Sequence, residues 1–497
     1  MIELLPLINM MILLVTALLI VFIPIKRFGV IKIIGSLAFS LVLIFSVVTL
    51  LHVQANGAIS YIFGGYERFI GVELYIDVFA SLFTFFIGLL GLLTFIYSIG
   101  YVHKEVEKTQ YSRYYILIFI LFFAAYGIIY TNDLFNTYVF MEILSLTACG
   151  IVSIKRKRKN YMASFRYLIL NEIGSLSFLF GTALLYMITG YTNITLVNDA
   201  LQDVWHLYPV NIVVASGFMI VGVGIKAAIF PFHVWLPDAH SSAPIPSHAI
   251  LSAVVLKLNL IVLVKVLYNV FGANVMTSLN IPLFTGVIAG TGMIMGSVFA
   301  IAQHDIKRIL AYSSVAQVGY IVLGISLMTH LGQAASYFHV FSHGMMKSAL
   351  FFSAGCIIYV SGVRDVRKYN GMFKLMPLPV ITFSLAALGM IGIPLTSGFL
   401  SKYYLGMAAL DANQGIFVLV IIISSILNAI YYLPIVIRSF LQEPSSELNE
   451  ISDRSIPYTM MIPVSIFAIL ILVLGIYPGI LTDIIDGAIM SVVGGWQ

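Results

Sequence analysis

Seven charged side chains sit where charge is expensive. Lys226, Lys257, Lys265, Lys347 and Lys402, with Glu142 and Glu172, all fall inside long apolar runs. A charge at the middle of a bilayer costs at least about 2.5–3.5 kcal/mol, so such groups face protein or water, pair with one another, and mark ion or proton pathways. His339, His343 and Lys347 recur at four-residue intervals, which is one face of a helix. Histidine titrates near neutral pH, so this stripe suits a proton relay better than plain packing. Histidines at that spacing can also bind a metal. No acidic or thiol ligand accompanies them in their helix, and the relay is the preferred reading.

Two prolines supply the context for two of the lysines. Pro231 follows Lys226 by five residues, and Pro394, between Gly392 and Gly398, precedes Lys402 by eight. Proline removes a backbone donor and frees a carbonyl one turn back. Non-helical backbone at membrane depth survives only where protein or water covers it, and a lysine beside such a break can be hydrated and change protonation state. Lys257, ten residues into its span, has no route to the surface. Lys265, about five residues from the end of the same span, is expected to snorkel to the interface. Glu142, near half depth, reads as a pathway residue rather than a structural ion pair. Glu172 fits either a structural role or a watery vestibule. The stretch 237–246, with Pro237, Asp238, Pro244 and Pro246, reads as a rigid helix connector with a capping aspartate or serine.

The elements that position these residues follow from composition. Hydrophobic residues make up 60% of the 497 and charged residues only 9%, against roughly 25% charged in a globular protein. This excludes a cytosolic enzyme, a nucleic-acid binder and a disordered scaffold. It leaves an all-α polytopic membrane protein, because a barrel shows alternating ten-residue strands instead. Fourteen candidate spans run near 3–25, 29–52, 77–101, 112–131, 133–154, 164–189, 208–231, 248–270, 279–303, 307–330, 333–361, 376–411, 413–440 and 457–480. The first lacks a basic start and a clear cleavage site and is not read as a signal peptide. The twelfth is too long for one span and reads as a broken helix. Twenty lysines and arginines, Lys26 and Arg27 and the run Lys155–Lys159 among them, fall in or beside loops after odd-numbered spans; only Arg68 lies in a loop after an even one. The positive-inside rule then places both termini on the outer face of a cell (inner) membrane. Cys149 and Cys356 sit in apolar runs without the spacing of a zinc or iron–sulfur site, and no Gly-rich phosphate loop is present. No cofactor is expected in this chain, nor a redox or hydrolytic centre.

Four stretches resemble the signatures of the antiporter-like subunits found in respiratory complex I, in Mrp-type multisubunit sodium/proton antiporters and in membrane-bound hydrogenases. They are Gly224–His240, which carries Lys226, Pro231, His233, Trp235, Pro237 and Asp238; Asp305–Ser314; Ser342–Phe351, with His343 and Lys347; and Gly392–Lys402. Glu142 matches the family's glutamate in the fifth helix. The resemblance covers nearly the whole chain. It implies a single membrane domain with N-terminal helices over 1–111, two inverted five-helix repeats over 112–270 (helices 4–8) and 279–440 (helices 9–13), and a last helix and tail over 457–497. Helices 7 and 12 are then the broken ones.

Residue by residue, the resemblance implies that Glu142 and Lys226 form an ion pair, Lys257 is the central lysine, His343 the bridging histidine and Lys402 the terminal group on the outward path. Gln317 stands where some members carry histidine. Glutamine does not titrate, so the relay is expected to pass through water between Lys257 and His343. The pattern, including Gly64, Gly65 and Gly71, looks closest to Mrp-type D subunits and their hydrogenase counterparts, and no long lateral helix is expected after the last span. The expected partners are other membrane subunits, the bilayer, protons, and sodium by way of a different subunit. The alternatives are the homologous proton-pumping subunit of a redox-driven hydrogenase or complex I relative, and a non-conducting structural subunit.

Overall fold

The structure, a computed structural model, describes residues 2–24, 27–444 and 455–493. Lys26 and the last four residues of the 457–497 segment lie outside them. Among the described residues, twelve helices are long and apolar enough to cross a membrane. They are α2 (Phe28–Asn56), α3 (Val78–Glu105), α4 (Tyr111–Tyr130), α5 (Leu134–Ser153), α6 (Arg158–Thr189), the main part of α7 (α7a, Pro209–Lys226), α8 (Ile245–Val270), α9 (Ile281–Ile301), α10 (Ile306–Ser326), α11 (His330–Ser361), α13 (Ile416–Leu441) and α14 (Tyr458–Ile476). The shorter α1 (Leu5–Val21) and a broken α12, in halves α12a (Pro377–Ile391) and α12b (Ser397–Asp411), complete the fourteen. The all-α membrane architecture expected from composition is therefore the one observed.

Burial sorts the helices into a centre and a rim. In α8, α10 and α11, 94%, 94% and 89% of the most apolar 18-residue stretch is buried, against 39% in α2 and 33% in α13. The rim helices turn residues such as Leu37, Ile44, Ile426 and Ile430 outward, as lipid-facing helices do. Helices α6 and α7a approach closely because Gly174 faces Gly222: a Cβ on either would lie 2.8 or 2.5 Å from the other's carbonyl oxygen. Small residues permit this spacing in membranes, and it brings the end of α7a, Lys226, against α5 and α6. Aspartate or threonine side chains cap the starts of three helices around the interior charges. Asp77 accepts from Ala80 N before α3, Asp133 from Asn136 N before α5, and Thr329 from Gly332 N before α11.

Three features depart from the sequence reading. The stretch 237–246 is not a plain connector. Leu236–Ser242 is helical and forms α7b, the second half of broken helix seven; Pro244 then leads directly into α8. Proline is tolerated in a first turn, where its missing N–H is not needed, so Pro237 and Pro246 start helices instead of interrupting them. The break itself begins after Lys226, five residues before Pro231. A β-hairpin, β1 (Ile59–Ile62) antiparallel to β2 (Glu73–Ile76), sits between α2 and α3 with Ile62 opposite Glu73. Surface helices at Ile194–Val204 and Gly479–Val493 were also not anticipated.

The hairpin is fastened by one buried acid. Glu73 accepts hydrogen bonds from Ser60 Oγ (2.6 Å), Arg68 Nε (3.0 Å), Asn132 Nδ2 (2.9 Å) and Asn193 Nδ2 (2.9 Å). It thereby ties the hairpin to the α4–α5 corner and to the start of the helix at Ile194. Burial pushes its carboxyl upward, but the bonds from Ser60, Asn132 and Asn193 and the Arg68 charge outweigh this and leave it below the ordinary range. A carboxylate depressed in this way stabilises the fold above its unfolded pKa and loses that contribution as pH falls through the folded one. Glu73→Ala strands the Asn132 and Asn193 amides, each buried unpartnered donor costing about 1–3 kcal/mol. The expected outcome is a lower melting temperature in detergent at pH 7 and a smaller difference from wild type at acid pH. An unchanged melt contradicts the assignment.

Candidate functional site

The break in helix seven leaves carbonyls without helical partners. Trp235 Nε1 donates to Ile225 O (2.9 Å), and Asn259 Nδ2, from α8, donates to Lys226 O (3.2 Å). The break is thus satisfied within protein, and it leaves Lys226 as the last residue of α7a, 1% exposed. Its ammonium donates to Glu142 (3.2 Å), Ser145 Oγ (2.6 Å) and Met141 O (3.4 Å), all on α5. The Glu142–Lys226 pair expected from the resemblance is present. Ser175 Oγ on α6 also donates to Glu142. Glu172, one turn earlier on α6, faces the same carboxylate, so two acids meet a single lysine.

Lys257 lies wholly buried immediately after a π-helical turn, Ile250–Val255. Such a turn widens the backbone ladder and is frequent at functional sites. Here Lys257 Nζ donates to the carbonyl of Ser252 (2.6 Å) and contacts His343 Nδ1 at 2.9 Å. This corrects the expectation of a water-filled gap between Lys257 and His343, because the two side chains touch. Gln317 stands elsewhere: its Oε1 contacts His339 Nε2 (3.0 Å), and the other ring nitrogen of His339 contacts Ser401 Oγ (2.8 Å). The rings of His339 and His343 stack, with centroids 5.9 Å apart and 15° between planes. Their one-turn spacing on α11 is what the sequence pattern implied.

Lys402, next to Ser401 on α12b, closes the series. Pro394 lies in the α12 break, where Gly392 at φ 97° ends α12a. Glycine meets no Cβ penalty in that left-handed conformation. Lys402 Nζ turns back over the break to donate to the last carbonyls of α12a, Met390 O (2.7 Å) and Ile391 O (3.0 Å), and to Ser425 Oγ (3.1 Å), and it lies 4.8 Å from the Tyr320 ring centroid. A cation suits the negative end of a helix. The structure therefore strings Glu142, Lys226, Lys257, His343, His339 and Lys402 across the interior, from α5 to α12b.

Lys347 sits one turn beyond His343 and donates to Leu310 O (2.8 Å) and to Ser313 Oγ. It belongs to a branch that the sequence reading missed. His240 on α7b and His248 on α8 are fully buried with rings 5.7 Å apart, both stacked on Phe351, and no ring nitrogen of either has a partner. Lys347 and Lys257 lie near His240. On the side of the basic loops, His248 looks toward Lys155 and Lys307, which both bind Glu105, at 2.8 and 3.1 Å. Two histidines eight residues apart in an uncharged stretch were the available signal, hidden because that stretch read as a connector.

Lys265 departs from expectation. It does not snorkel: its Nζ donates to Ile128 O (2.9 Å), Ile129 O (2.7 Å) and Thr131 O (2.8 Å), capping the end of α4. Three carbonyls satisfy all three ammonium protons, which a headgroup contact could not improve. Among the described residues, no three His, Cys, Asp or Glu side chains converge as metal ligands.

The comparisons with known proteins agree with this architecture. The family model described as NADH:quinone oxidoreductase/Mrp antiporter, TM, matches residues 131–428. The chain is 36% identical over 417 residues to NADH-quinone oxidoreductase subunit N of Desulforudis audaxviator, covering 82% of each sequence. It is 28% identical over 390 residues to the D subunit of the Na(+)/H(+) antiporter of Alkalihalophilus pseudofirmus, covering 77% of this chain and 76% of that one. A chain of the Mrp complex from Dietzia sp. DQ12-45-1b has the same fold, with a TM-score of 0.89 at 24% identity over 99% of this chain and 97% of that one. With its fold, its broken helices and its interior lysines in place, the chain belongs to the NADH:quinone oxidoreductase/Mrp antiporter transmembrane family.

Proposed function

We propose that this chain moves protons across the membrane as an antiporter-like subunit of a larger membrane complex. The observation that carries the reading is the row of buried ionisable groups formed by the Glu142–Lys226 pair and, on the neighbouring helices, the contacts that run from Lys257 through His343 and His339 to Ser401 beside Lys402. Each member can bind or release a proton, and buried lysines without carboxylate partners are costly to retain for structure alone. Protons reach the middle from the basic, inner side by way of His248 and His240 or of Lys226, pass Lys257 and His343, and leave outward near Lys402.

Glu142 acts as the switch. At about 4 Å and an effective dielectric near 20, its attraction to Lys226 is about 4 kcal/mol, enough to hold a proton on that lysine. Glu172 competes for the arrangement from α6. Opening the pair releases Lys226 to pass its proton inward along the series, and closing it draws a new proton in. The pair also points to partners. Glu142 remains 18% exposed at mid-membrane, and Phe165, Ile169, Ile173 and Leu176 on α6 face outward beside it. A carboxylate facing hydrocarbon is unfavourable, so a neighbouring membrane subunit covers this face.

Two driving forces fit one module. The motif pattern supports an Mrp-type D subunit working in a sodium/proton antiporter, and the 36% relation to a subunit N supports a redox-driven complex. Sodium wants several oxygen ligands, and the series offers it none beyond the two glutamates, so protons are the ion carried here.

In the native complex, Glu142→Gln and Lys402→Ala are each expected to lower proton transport at least tenfold, a floor below the roughly 10²–10⁴-fold contribution of one positioned proton-transfer group, with assembly intact. Fluorescence quenching in membrane vesicles reads this, and wild-type rates in either assembled variant sink the corresponding role. The purified complex, assayed for iron, acid-labile sulfide and flavin, separates the drives. Stoichiometric redox centres mean electron-driven pumping, and their absence from a complex of membrane subunits means antiport on an existing gradient.

A further inference from the structure

One group of polar residues lies apart from the series. On the face opposite the basic loops, a cavity of about 300 Å³ is lined by uncharged residues, among them the polar Asn132, Thr195, Asn198, Gln202, Asn269 and Tyr75. It continues, past Asn132 and Asn269, into a throat of about 20 Å³ bounded by Asp77 and Lys265. A site of that size holds about one water, and Asn269 Oδ1, buried and without a partner, lies between the two spaces. The cavity is thus a wet passage ending on a buried acid.

We infer that this vestibule is a second outward opening of the proton pathway, in which Asp77 exchanges protons with outside water. The inference rests on the proton-carrying function proposed above. In the inward step a hydronium ion passes its proton to a carboxylate oxygen of Asp77 and becomes water; in the outward step the acid returns the proton to water. Asp77 is 6% exposed and is the capping residue immediately before α3. Burial pushes its carboxyl above the ordinary range, and the Ala80 N–H and the Lys265 charge pull it partly back. The groups facing it are Lys265 from α8, Ser491 from the Gly479–Val493 helix, Tyr75 on its own strand and Tyr337 from α11; Glu73, further along the strand, is neutralised by Arg68. Tyr337 has a buried hydroxyl without a partner and lies six residues before His343 on the same helix, about 9 Å along its axis, which points the passage toward the central series. A metal cation is not the occupant, because at Asp77 it would sit against the fixed ammonium of Lys265.

Asparagine caps a helix as well as aspartate does but does not titrate, so Asp77→Asn keeps the α3 cap and removes the proton. In the reconstituted native complex, Asp77→Asn is expected to lower transport at least tenfold and to flatten its dependence on external pH, with Asp77→Glu restoring both. Independently, Thr195→Cys is expected to make transport sensitive to a membrane-impermeant, positively charged thiol reagent added from outside, to which the unsubstituted complex is insensitive. Wild-type rate and pH profile in Asp77→Asn, or a reagent that labels Cys at position 195 without slowing transport, overturn the second opening. Glu142→Gln is run beside them. Its loss of transport with an unaffected Asp77→Asn removes the vestibule alone, whereas normal transport in Glu142→Gln removes the proton-carrying function on which it rests.

Discussion

An ammonium group inside a membrane protein must be given oxygen or nitrogen partners for its protons, and most of this architecture answers to that requirement. Of the five interior lysines, only Lys226 has a carboxylate within bonding distance. The other four are held by main-chain carbonyls, with hydroxyls or an imidazole alongside: Ser252 O for Lys257, Leu310 O for Lys347, the end of α4 for Lys265 and the end of α12a for Lys402. Except for Leu310, which lies inside α10, those carbonyls are available because the helices that own them end, break or widen there. The breaks, the π-helical turn and the caps are therefore one device, which manufactures unpaired backbone acceptors at depth and spends them on cations.

The same device separates structural lysines from mobile ones. Lys265 has three carbonyls at 2.7–2.9 Å for its ammonium protons, an arrangement that holds the side chain in place. Lys257 has one carbonyl and one imidazole, and the imidazole can itself take the proton. A lysine whose partner accepts a proton can hand it on within the protein; one held only by hydrogen-bond acceptors either anchors the chain, as Lys265 does, or must exchange its proton with water. In the proposed pathway Lys226, with its acid, and Lys257, with its histidine, are therefore the groups that hand protons on, and Lys402, on two carbonyls and a serine, is the group that exchanges with water.

The sequence was legible wherever a local rule had a single solution. Runs of about twenty apolar residues became helices, the His339–His343–Lys347 spacing became one face, and the two prolines marked two breaks. It was misleading where a tertiary partner decided. Lys265 near a helix end satisfies the rule for snorkelling equally well, and only the fold reveals that the end of α4 arrives beside it. Pro237 and Pro246 look like loop residues until their places in first helical turns are known. Gln317 was expected between Lys257 and His343, because motif alignment gives position along a helix and not which ring it meets. The hairpin at Ile59–Ile76 carries too few residues to stand against the apolar signal of the helices around it.

Lys257 is the decisive residue, because the proposed pathway runs through it from the Glu142–Lys226 pair to the histidine stripe, which it contacts at His343. The most direct measurement is proton translocation by the native complex carrying Lys257→Met, reconstituted in sealed vesicles with assembly verified. Methionine keeps the length and the packing and removes the proton. The account predicts flux at the level of protein-free leak while the complex remains intact. Flux at the wild-type rate would contradict it and leave the buried lysines as architecture alone.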